Sequence, residues 1–162
     1  MTTLPVRRVV VVVASTRAAA GRTDDLTGPV ICAWAEQRGW DAGVPVVVAD
    51  GAPVGDALAA ALATGPDLVV TTGGTGLTPT DRTPEQTRPL LDREVPGVAE
   101  ELRRRGLAAT PTAVLSRGLA GVAGRTFVVN LPGSRGGVRD GLAVLDGIVD
   151  HVLDQISGGA HD

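Results

Sequence analysis

The strongest constraint on the fold is a run of valines near the start of the chain. Residues 6–14 contain five consecutive valines, Val9–Val13, and a strand that is β-branched at every position is typical of a sheet covered on both faces. Similar apolar runs follow at residues 43–49, 67–72 and 126–130. Because parallel strands need long crossover connections, these runs predict an α/β fold with a mainly parallel sheet.

The segments between these runs have the patterns of helices. The predicted helices are residues 28–38, 54–64 and 96–106, one with Thr83 as N-cap and Gln86 in a capping box, and a long one from Ser134 to Ile156. Residues 112–117 suggest a further short strand and residues 118–124 a glycine-rich turn. Alternating strands and helices predict a three-layer α/β/α sandwich, formed as a single domain by residues 1–162.

The composition argues against several kinds of chemistry. All fifteen basic residues are arginines, so the chain has neither a Walker-A loop nor a lysine nucleophile. The two histidines, His151 and His161, and the single Cys32 argue against a zinc cluster, a catalytic triad and an internal disulfide. A net charge of −3 and a content of one Phe and two Trp argue against nucleic-acid binding. We also expect no membrane span and a cytoplasmic location.

Polar loops follow the predicted strands at their carboxyl ends. The loops at residues 15–27, 73–81 and 132–134, together with Asp50, each come directly after an apolar run. Parallel strands bring their carboxyl ends to one edge, which is where open α/β sheets bind ligands. The sequence therefore predicts a site that is built by these loops.

The most informative of the loops is rich in glycine. Its residues are, in order, Thr71, Thr72, Gly73, Gly74, Thr75 and Gly76. Glycines let the backbone approach a ligand closely and turn its amides toward that ligand, and threonine hydroxyls add further donors. This pattern favours a phosphate-binding loop, and the alternative is a tight structural turn.

Two aspartates are candidates for a metal site beside this loop. Asp81 follows the glycine-rich loop, and Asp50 ends the second predicted strand. Mg²⁺ prefers one or two carboxylates together with substrate phosphates and water, so these carboxylates would hold that ion next to a bound phosphate. The alternatives are a helix-start role for Asp81 and a turn role for Asp50.

Further candidates lie near the last predicted strand. Asn130-Leu131-Pro132-Gly133-Ser134 ends that strand and opens a helix, which predicts either a second anion site or a simple cap and turn. Ser116 and Arg117 form a polar pair after an apolar segment. Arg117 would either hold an anion in a bidentate fashion or form an ion pair on the surface.

Ordered motifs along nearly the whole chain resemble one known family. The glycine-rich loop, followed by Asp81-Arg82-Thr83-Pro84-Glu85, is similar to the pattern of the molybdopterin-binding MoaB/Mog proteins. Other segments resemble that family's Asp-x-Ser-Gly, Val-Pro-Asp, Leu-Ser-Arg and Asn-Leu-Pro-Gly-Ser motifs, namely residues 25–28, 48–50, 112–117 and 130–134.

This resemblance implies a fold, an activity and a set of site residues. The expected protein is a three-layer α/β homotrimer or hexamer that binds molybdopterin, a pterin with a dithiolene and a terminal phosphate. Active members transfer AMP from Mg²⁺–ATP to that phosphate, release pyrophosphate and pass the product to the metal-insertion enzyme of the same pathway. The resemblance assigns catalysis and Mg²⁺ to Asp50 and Asp81. The expected ligand-binding residues are Thr71, Thr72, Gly73, Gly74, Thr75, Gly76, Glu85, Ser116, Arg117, Asn130, Pro132, Gly133 and Ser134.

Functions of different classes remain open from the sequence. A phosphate nucleophile is already ionised at neutral pH, so AMP transfer needs no lysine or histidine base, which fits this chain. The alternative is a non-catalytic molybdopterin-binding carrier or scaffold, because Thr16, Gly51 and Arg135 depart from the residues usual in the family. A related domain detached from a larger protein is a third interpretation.

Overall fold

The valine run forms an inner strand of a six-stranded sheet in the computed structural model, which describes residues 3–159. The strands are β1 (Val9–Ala14), β2 (Val46–Val48), β3 (Leu68–Thr72), β4 (Arg93–Glu94), β5 (Ala120–Ala123) and β6 (Thr126–Leu131), in the spatial order β2-β1-β3-β6-β5-β4. The first four strands in that order are parallel, and β5 and β4 are each antiparallel to the preceding one. The predicted mainly parallel sheet is confirmed.

Helices cover both faces of this sheet. They are α1 (Thr16–Ala19), α2 (Gly28–Gln37), α3 (Ala52–Ala63), α4 (Thr83–Thr87), α5 (Pro96–Gly106), α6 (Arg135–Asp146) and α7 (Val149–Ile156), with short 3-10 helices at Arg88–Leu90 and Pro111–Leu115. No helix within residues 3–159 has the length and apolar character that are needed to cross a membrane.

The alternation of side chains along β1 explains why every position of the run is apolar. Val9, Val11 and Val13 are buried in the larger core cluster, which also contains buried residues of α2, α5, α6 and α7. Val12 is buried in a second cluster with Val54 of α3. Successive side chains of a strand point to opposite faces, so each face of β1 meets its own helical layer. The three-layer sandwich is therefore confirmed.

Two sequence predictions are wrong in the segment between α5 and β6. Residues 112–117 are not a strand, because Pro111 starts a 3-10 helix and the Thr110 hydroxyl caps it by accepting from the Thr112 amide at 3.4 Å. Residues 118–124 are not only a turn, because they contain β5. Small residues suit this strand since β4 passes close by, and a Cβ at Gly121 would lie 2.4 Å from the Arg93 carbonyl oxygen.

Two helix predictions also need correction. The predicted long last helix is divided into α6 and α7 around Gly147 and Ile148, although its apolar face continues into the same core. The N-cap of α4 is Arg82 rather than Thr83, and no side chain caps that helix. The Thr83 hydroxyl instead donates to the Gly73 carbonyl oxygen at 3.0 Å, so it ties α4 to the glycine-rich loop.

An aromatic and charged cluster joins α2 to α6. Trp34 and Trp40 pack edge to face at 5.6 Å, and the Arg38 guanidinium lies 4.7 Å from the centre of the Trp40 ring. Asp146 accepts from Trp34 Nε1 at 2.8 Å and from Arg38 at 2.9 Å. One carboxylate therefore satisfies the ring nitrogen of a buried tryptophan and fixes the arginine over both rings.

We expect Asp146→Ala to lower the free energy of unfolding by about 1–3 kcal/mol, because the indole N–H of Trp34 loses its acceptor. Urea denaturation monitored by tryptophan fluorescence measures this change. The control is Asp56→Ala, which removes an exposed carboxylate from α3. The loss should be smaller in a Trp34→Phe background, and an equal loss there would contradict this explanation.

Candidate functional site

The carboxyl ends of three strands meet at the glycine-rich loop. The Gly73 amide donates to the Leu131 carbonyl at 3.1 Å, which joins the ends of β3 and β6. A Cβ at Gly73 would lie 2.3 Å from the Ala14 carbonyl oxygen, and a Cβ at Gly133 would lie 3.2 Å from the Gly73 Cα. Gly73 also has a φ of 92°. This close approach requires glycine, so the predicted convergence of the loops is confirmed.

An acidic cavity of 530 Å³ opens on one side of this loop. Gly73, Gly74 and Gly133 line it, together with residues of the loops that follow β1 and β2. Its charged lining residues are Asp24, Asp25, Asp50, Asp81 and Arg17. The structure therefore brings Asp50 and Asp81 to one cavity, as the sequence predicts, and gives that cavity an excess of negative charge.

Asp50 is held in place by Thr16. Asp50 Oδ2 accepts from the Thr16 hydroxyl at 2.9 Å and from the Thr16 amide at 3.2 Å. The Asp50 amide donates to Thr16 Oγ1 at 3.1 Å, so the contact runs in both directions. A Cβ at Gly74 would lie 3.1 Å from Asp50 Oδ1, which places this second oxygen against the glycine-rich loop.

Asp81 faces the other end of the same loop. Asp81 Oδ2 accepts from the Thr78 amide at 3.1 Å, and a Cβ at Gly76 would lie 2.9 Å from that oxygen. The Asp81 amide donates to the Thr78 carbonyl at 2.8 Å, so Asp81 closes a turn of its own. An asparagine at position 81 would be able to accept the same hydrogen bond through its side-chain oxygen. The substitution would therefore keep the turn and remove the charge.

The sequence prediction did not include Asp25 among the site residues. Asp25 Oδ1 accepts from the Thr27 and Gly28 amides at 3.1 and 2.9 Å, so its carboxylate binds the first amides of α2 while it lines the acidic cavity. The spacing of an aspartate two and three residues before free helix amides is the signal that predicts this geometry. Asp25 therefore forms part of the cavity wall and holds the start of α2 against it.

A second, mainly apolar cavity of 330 Å³ lies on the other side of the loop. It is lined by Thr75 and Gly76, by small and apolar residues of α5 and the 110–116 segment, and by the start of α6. Ser116, Pro132 and Ser134, which the sequence predicts as ligand residues, line this cavity. The Ser134 hydroxyl caps α6 by accepting from the Gly137 amide at 3.0 Å, which confirms the predicted N-cap.

Four predicted ligand residues lie outside both cavities, namely Thr71 and Asn130 beneath the loop and Glu85 and Arg117 behind it. Asn130 is buried, and its Nδ2 donates to Thr71 Oγ1 at 2.9 Å and to Thr87 Oγ1 at 3.1 Å. Its Oδ1 accepts from the Leu119 amide at 3.0 Å. Thr71 and Asn130 are thus buried beneath the loop and support it. Thr72 does line the acidic cavity, but its hydroxyl donates to the Pro132 carbonyl at 2.7 Å.

Arg117 and Glu85 form a partly buried ion pair behind the loop, which is the ion-pair alternative of the prediction for Arg117, at a less exposed position than expected. Arg117 Nη1 donates to Glu85, Nε donates to the Gly76 carbonyl at 3.0 Å, and Nη2 donates to the Asp81 carbonyl at 2.9 Å. Burial raises the pKa of Glu85, but the hydrogen bond and charge of Arg117 outweigh it and hold that pKa below its ordinary value.

Carboxylate oxygens are the available metal ligands in this region. Residues 3–159 contain no group of three or more His, Cys, Asp or Glu side chains that is arranged to hold a metal ion. His151 lies on α7, and His161 falls outside the described part of the chain. Asp50 and Asp81 fit a hard cation that completes its coordination with substrate phosphates and water, as Mg²⁺ does.

Comparison with known proteins shows which family the chain belongs to. Residues 10–150 match the family described as a probable molybdopterin binding domain. The chain belongs to this family. The resemblance to the MoaB/Mog proteins is confirmed, and the glycine-rich loop, Asp50, Asp81 and the residue 130–134 segment lie within the matching region.

Individual members of the molybdopterin-binding family are similar over most of the chain. The molybdopterin biosynthesis Mog protein from Mycobacterium ulcerans has 57% identity and a TM-score of 0.90, over 93% of this chain and 99% of that one. The molybdenum cofactor biosynthesis bifunctional protein of Synechococcus elongatus is 39% identical over 93% of this chain and 48% of its own length. The molybdopterin adenylyltransferase of Haemophilus influenzae is 36% identical over 84% of this chain and 70% of its own.

These relatives agree with the expected role in molybdenum cofactor biosynthesis. Their names place them in molybdenum cofactor biosynthesis. The chain spans about half the length of the first curated relatives that it matches, 48% and 50%.

We expect Asn130→Ala to lower the free energy of unfolding by about 2–4 kcal/mol. The substitution leaves the Leu119 amide without an acceptor and removes the amide donor from the buried Thr71 and Thr87 hydroxyls. Chemical denaturation measures this loss. The control is Gln37→Ala, which removes an exposed amide at the end of α2 and should change stability by less than about 0.5 kcal/mol. A loss of that small size for Asn130→Ala would show that the buried network does not support the loop.

We expect the Glu85–Arg117 pair to make stability depend on pH. Since the folded-state pKa of Glu85 lies below its ordinary value of 4.5, its ionised form stabilises the fold above that pH, and this contribution is lost as the pH falls through the folded-state pKa. The difference in unfolding free energy between the parent and Glu85→Gln should therefore be constant near neutral pH and shrink below pH 4.5.

Urea denaturation between about pH 7 and pH 3 tests this dependence. Glu100→Gln, on the exposed side of α5, is the control for the loss of a carboxylate. A parent-to-variant difference that stays constant down to the lowest pH would contradict the prediction.

Proposed function

We propose that this protein is a molybdopterin adenylyltransferase, which joins AMP from ATP to the terminal phosphate of molybdopterin. The observation that supports this proposal is the position of the glycine-rich loop between two unlike cavities, one acidic and one mainly apolar. A transfer reaction needs two substrates on either side of the reacting atoms. The names of the relatives, above all the adenylyltransferase of Haemophilus influenzae, point to the same reaction.

The acidic cavity suits the metal and the phosphates of ATP. Its lining includes four aspartates and one arginine, so a bare triphosphate would be repelled. A nucleotide that enters as its Mg²⁺ complex brings positive charge with it. Asp50 and Asp81 would hold that ion, because each has a carboxylate oxygen against the glycine-rich loop.

The apolar cavity suits the pterin. Its walls come from small and apolar side chains such as Ala99, Leu102 and Ala113, which fit a flat ring system. Where the cavity meets the start of α6, the Ser134 hydroxyl binds the Gly137 amide and leaves the amides of Arg135 and Gly136 to an anion. The terminal phosphate of molybdopterin would lie there and against the glycine-rich loop, at the border between the cavities.

The proposed step needs no protein base. An oxygen of the molybdopterin phosphate attacks the α-phosphorus of ATP, a new P–O–P bond forms, and the bond from the α-phosphorus to the bridging oxygen breaks with pyrophosphate as leaving group. The attacking oxygen is already ionised at neutral pH, and the bridging oxygen leaves as part of the pyrophosphate anion, so no proton has to move. The glycine-rich loop aligns the two phosphates, and its amides stabilise the charge on the transferring group. When bound, Mg²⁺ would neutralise phosphate charge.

The proposal extends to assembly and to partners. Leu107, at the end of α5, and Val114 and Leu115, in the neighbouring 3-10 helix, are exposed apolar residues, which supports an assembly of several copies. We propose a homotrimer, or a hexamer formed from it, that works in the cytoplasm and passes its product to the metal-insertion enzyme of the pathway. A mass of one chain by light scattering at micromolar concentration would exclude this assembly.

The direct test of the activity is incubation with molybdopterin, Mg²⁺ and ATP. The proposal predicts one pyrophosphate released for each adenylylated pterin formed, and neither product without Mg²⁺. Molybdopterin binding without any AMP transfer would instead favour the non-catalytic carrier or scaffold.

We expect Asp81→Asn to separate binding from turnover. The variant keeps an oxygen that can accept the Thr78 amide, so stability should change by less than about 1 kcal/mol. It loses the charge that would hold the metal, and AMP transfer should fall by about 10²–10³-fold. Binding of molybdopterin, which rests on the loop and on α6, should remain within about threefold of the parent.

Asp56→Asn, on the exposed side of α3, is the matched control and should behave as the parent does. Unchanged turnover in Asp81→Asn at saturating ATP would show that Asp81 serves only the turn. Loss of folding would show that its role is structural.

A further inference from the structure

The segment that carries Asp81 makes few hydrogen bonds with the rest of the protein. We define residues 77–81 as the Asp81 loop, of which residues 77–80 are exposed. Its hydrogen bonds between Thr78 and Asp81 close the loop on itself but do not attach it to the sheet or to a helix. A loop with so few hydrogen bonds to the rest of the protein opens easily. Without a further attachment, the Asp81 carboxylate would have no fixed position.

Arg117 supplies the missing attachment. Its Nη2 donates to the Asp81 carbonyl at 2.9 Å. Throughout residues 3–159, this is the one hydrogen bond that joins residues 77–81 to a residue outside them. Its Nε donates to the Gly76 carbonyl at 3.0 Å, and its backbone amide donates to the Thr75 carbonyl at 2.8 Å. One side chain therefore holds both ends of the Asp81 loop.

Glu85 keeps the guanidinium in the required orientation. It lies in α4, accepts from Arg117 Nη1, and is about as buried as Arg117, with side chains 32% and 35% exposed. The planar guanidinium donates in fixed directions, so an arginine that is fixed by a carboxylate on one nitrogen can present the other two to separate carbonyls. A lysine ammonium has no such geometry.

We propose that Arg117 is a positioning residue, which sets the Asp81 carboxylate against Gly76 by joining the Gly76 and Asp81 carbonyl groups. Its catalytic consequence rests on the proposed AMP transfer, whereas its effect on the Asp81 loop does not. The role differs from that of a ligand clamp, because all three guanidinium nitrogens donate to protein oxygens.

The first test uses hydrogen exchange in the protein without ligands. In Arg117→Gln, the amides of Thr78 and Asp81 should exchange at least about tenfold faster than in the parent. The amides of β3 report global opening and separate a local effect from a loss of stability. Arg104→Gln is the matched control, since it breaks a two-bonded pair with Glu101, at 2.6 and 2.7 Å, on the surface of α5. It should leave the Asp81 loop unchanged.

The second test is a double-mutant cycle in the AMP-transfer assay. Arg117→Gln should lower kcat at least about tenfold and leave the Kd for molybdopterin within about threefold. In an Asp81→Asn background, the same change should cost no more than about threefold, because the residue that it positions has already lost its charge. Arg117→Lys, which keeps the charge beside Glu85 but cannot bind both carbonyls, should resemble Arg117→Gln and covers the case in which the glutamine variant fails to fold.

The proposal is overturned if exchange of the Asp81 loop is unchanged, or if the kcat loss is as large in the Asp81→Asn background as in the parent. A molybdopterin Kd that is weakened more than about tenfold would also overturn it, since Arg117 would then bind the ligand. A parent protein without AMP transfer would refute the proposed function and not the positioning role, which hydrogen exchange decides by itself.

Discussion

The approach of Gly73 to the Ala14 carbonyl and to Gly133 is the contact on which the arrangement of the site depends. With no side chain at either glycine, the ends of β1, β3 and β6 come together, and the chain leaves β3 as a loop that stands between two cavities. A Cβ at Gly73 would push the loop away from β1 and would separate Asp50, which follows β2, from Asp81, which follows the loop. The two carboxylates share a cavity because the backbones are this close.

The two cavities on either side of that loop differ in charge. The acidic cavity has four aspartates and one arginine, so it favours cations and metal-bound phosphates over free anions. Three arginines outside this cavity are bound to protein groups: Arg38 pairs with Asp146 and Asp150, Arg103 donates to the Ser116 and Gly118 carbonyls, and Arg117 holds the Asp81 loop. Since the chain has no lysine, the proposed function assigns phosphate binding to the backbone amides of the loop and of α6 and to the metal.

Features that depend on local pattern could be predicted from the sequence. The five valines of β1 predict a doubly covered strand, and glycine directly after β3 predicts a close backbone approach; both are found. The surroundings of Asn130 could not be predicted from the sequence. Its motif suggests a ligand contact, but its partners Thr71 and Thr87 lie far away in sequence, so only the fold shows that it is buried. The same holds for Arg117, whose four partners are on other segments. Residues 112–117 look like a strand because their apolar side chains give no sign that Thr110 and Pro111 start a 3-10 helix.

We propose that AMP transfer takes place across the glycine-rich loop, and a crystal structure with adenylylated molybdopterin bound tests this proposal most directly. We expect the pterin in the apolar cavity beside Leu102 and Ser134, the two linked phosphates against residues 73–76, and the AMP half in the cavity with Asp50 and Asp81. A product that lies with both halves on one side of the loop, with neither aspartate near its phosphates, would contradict it.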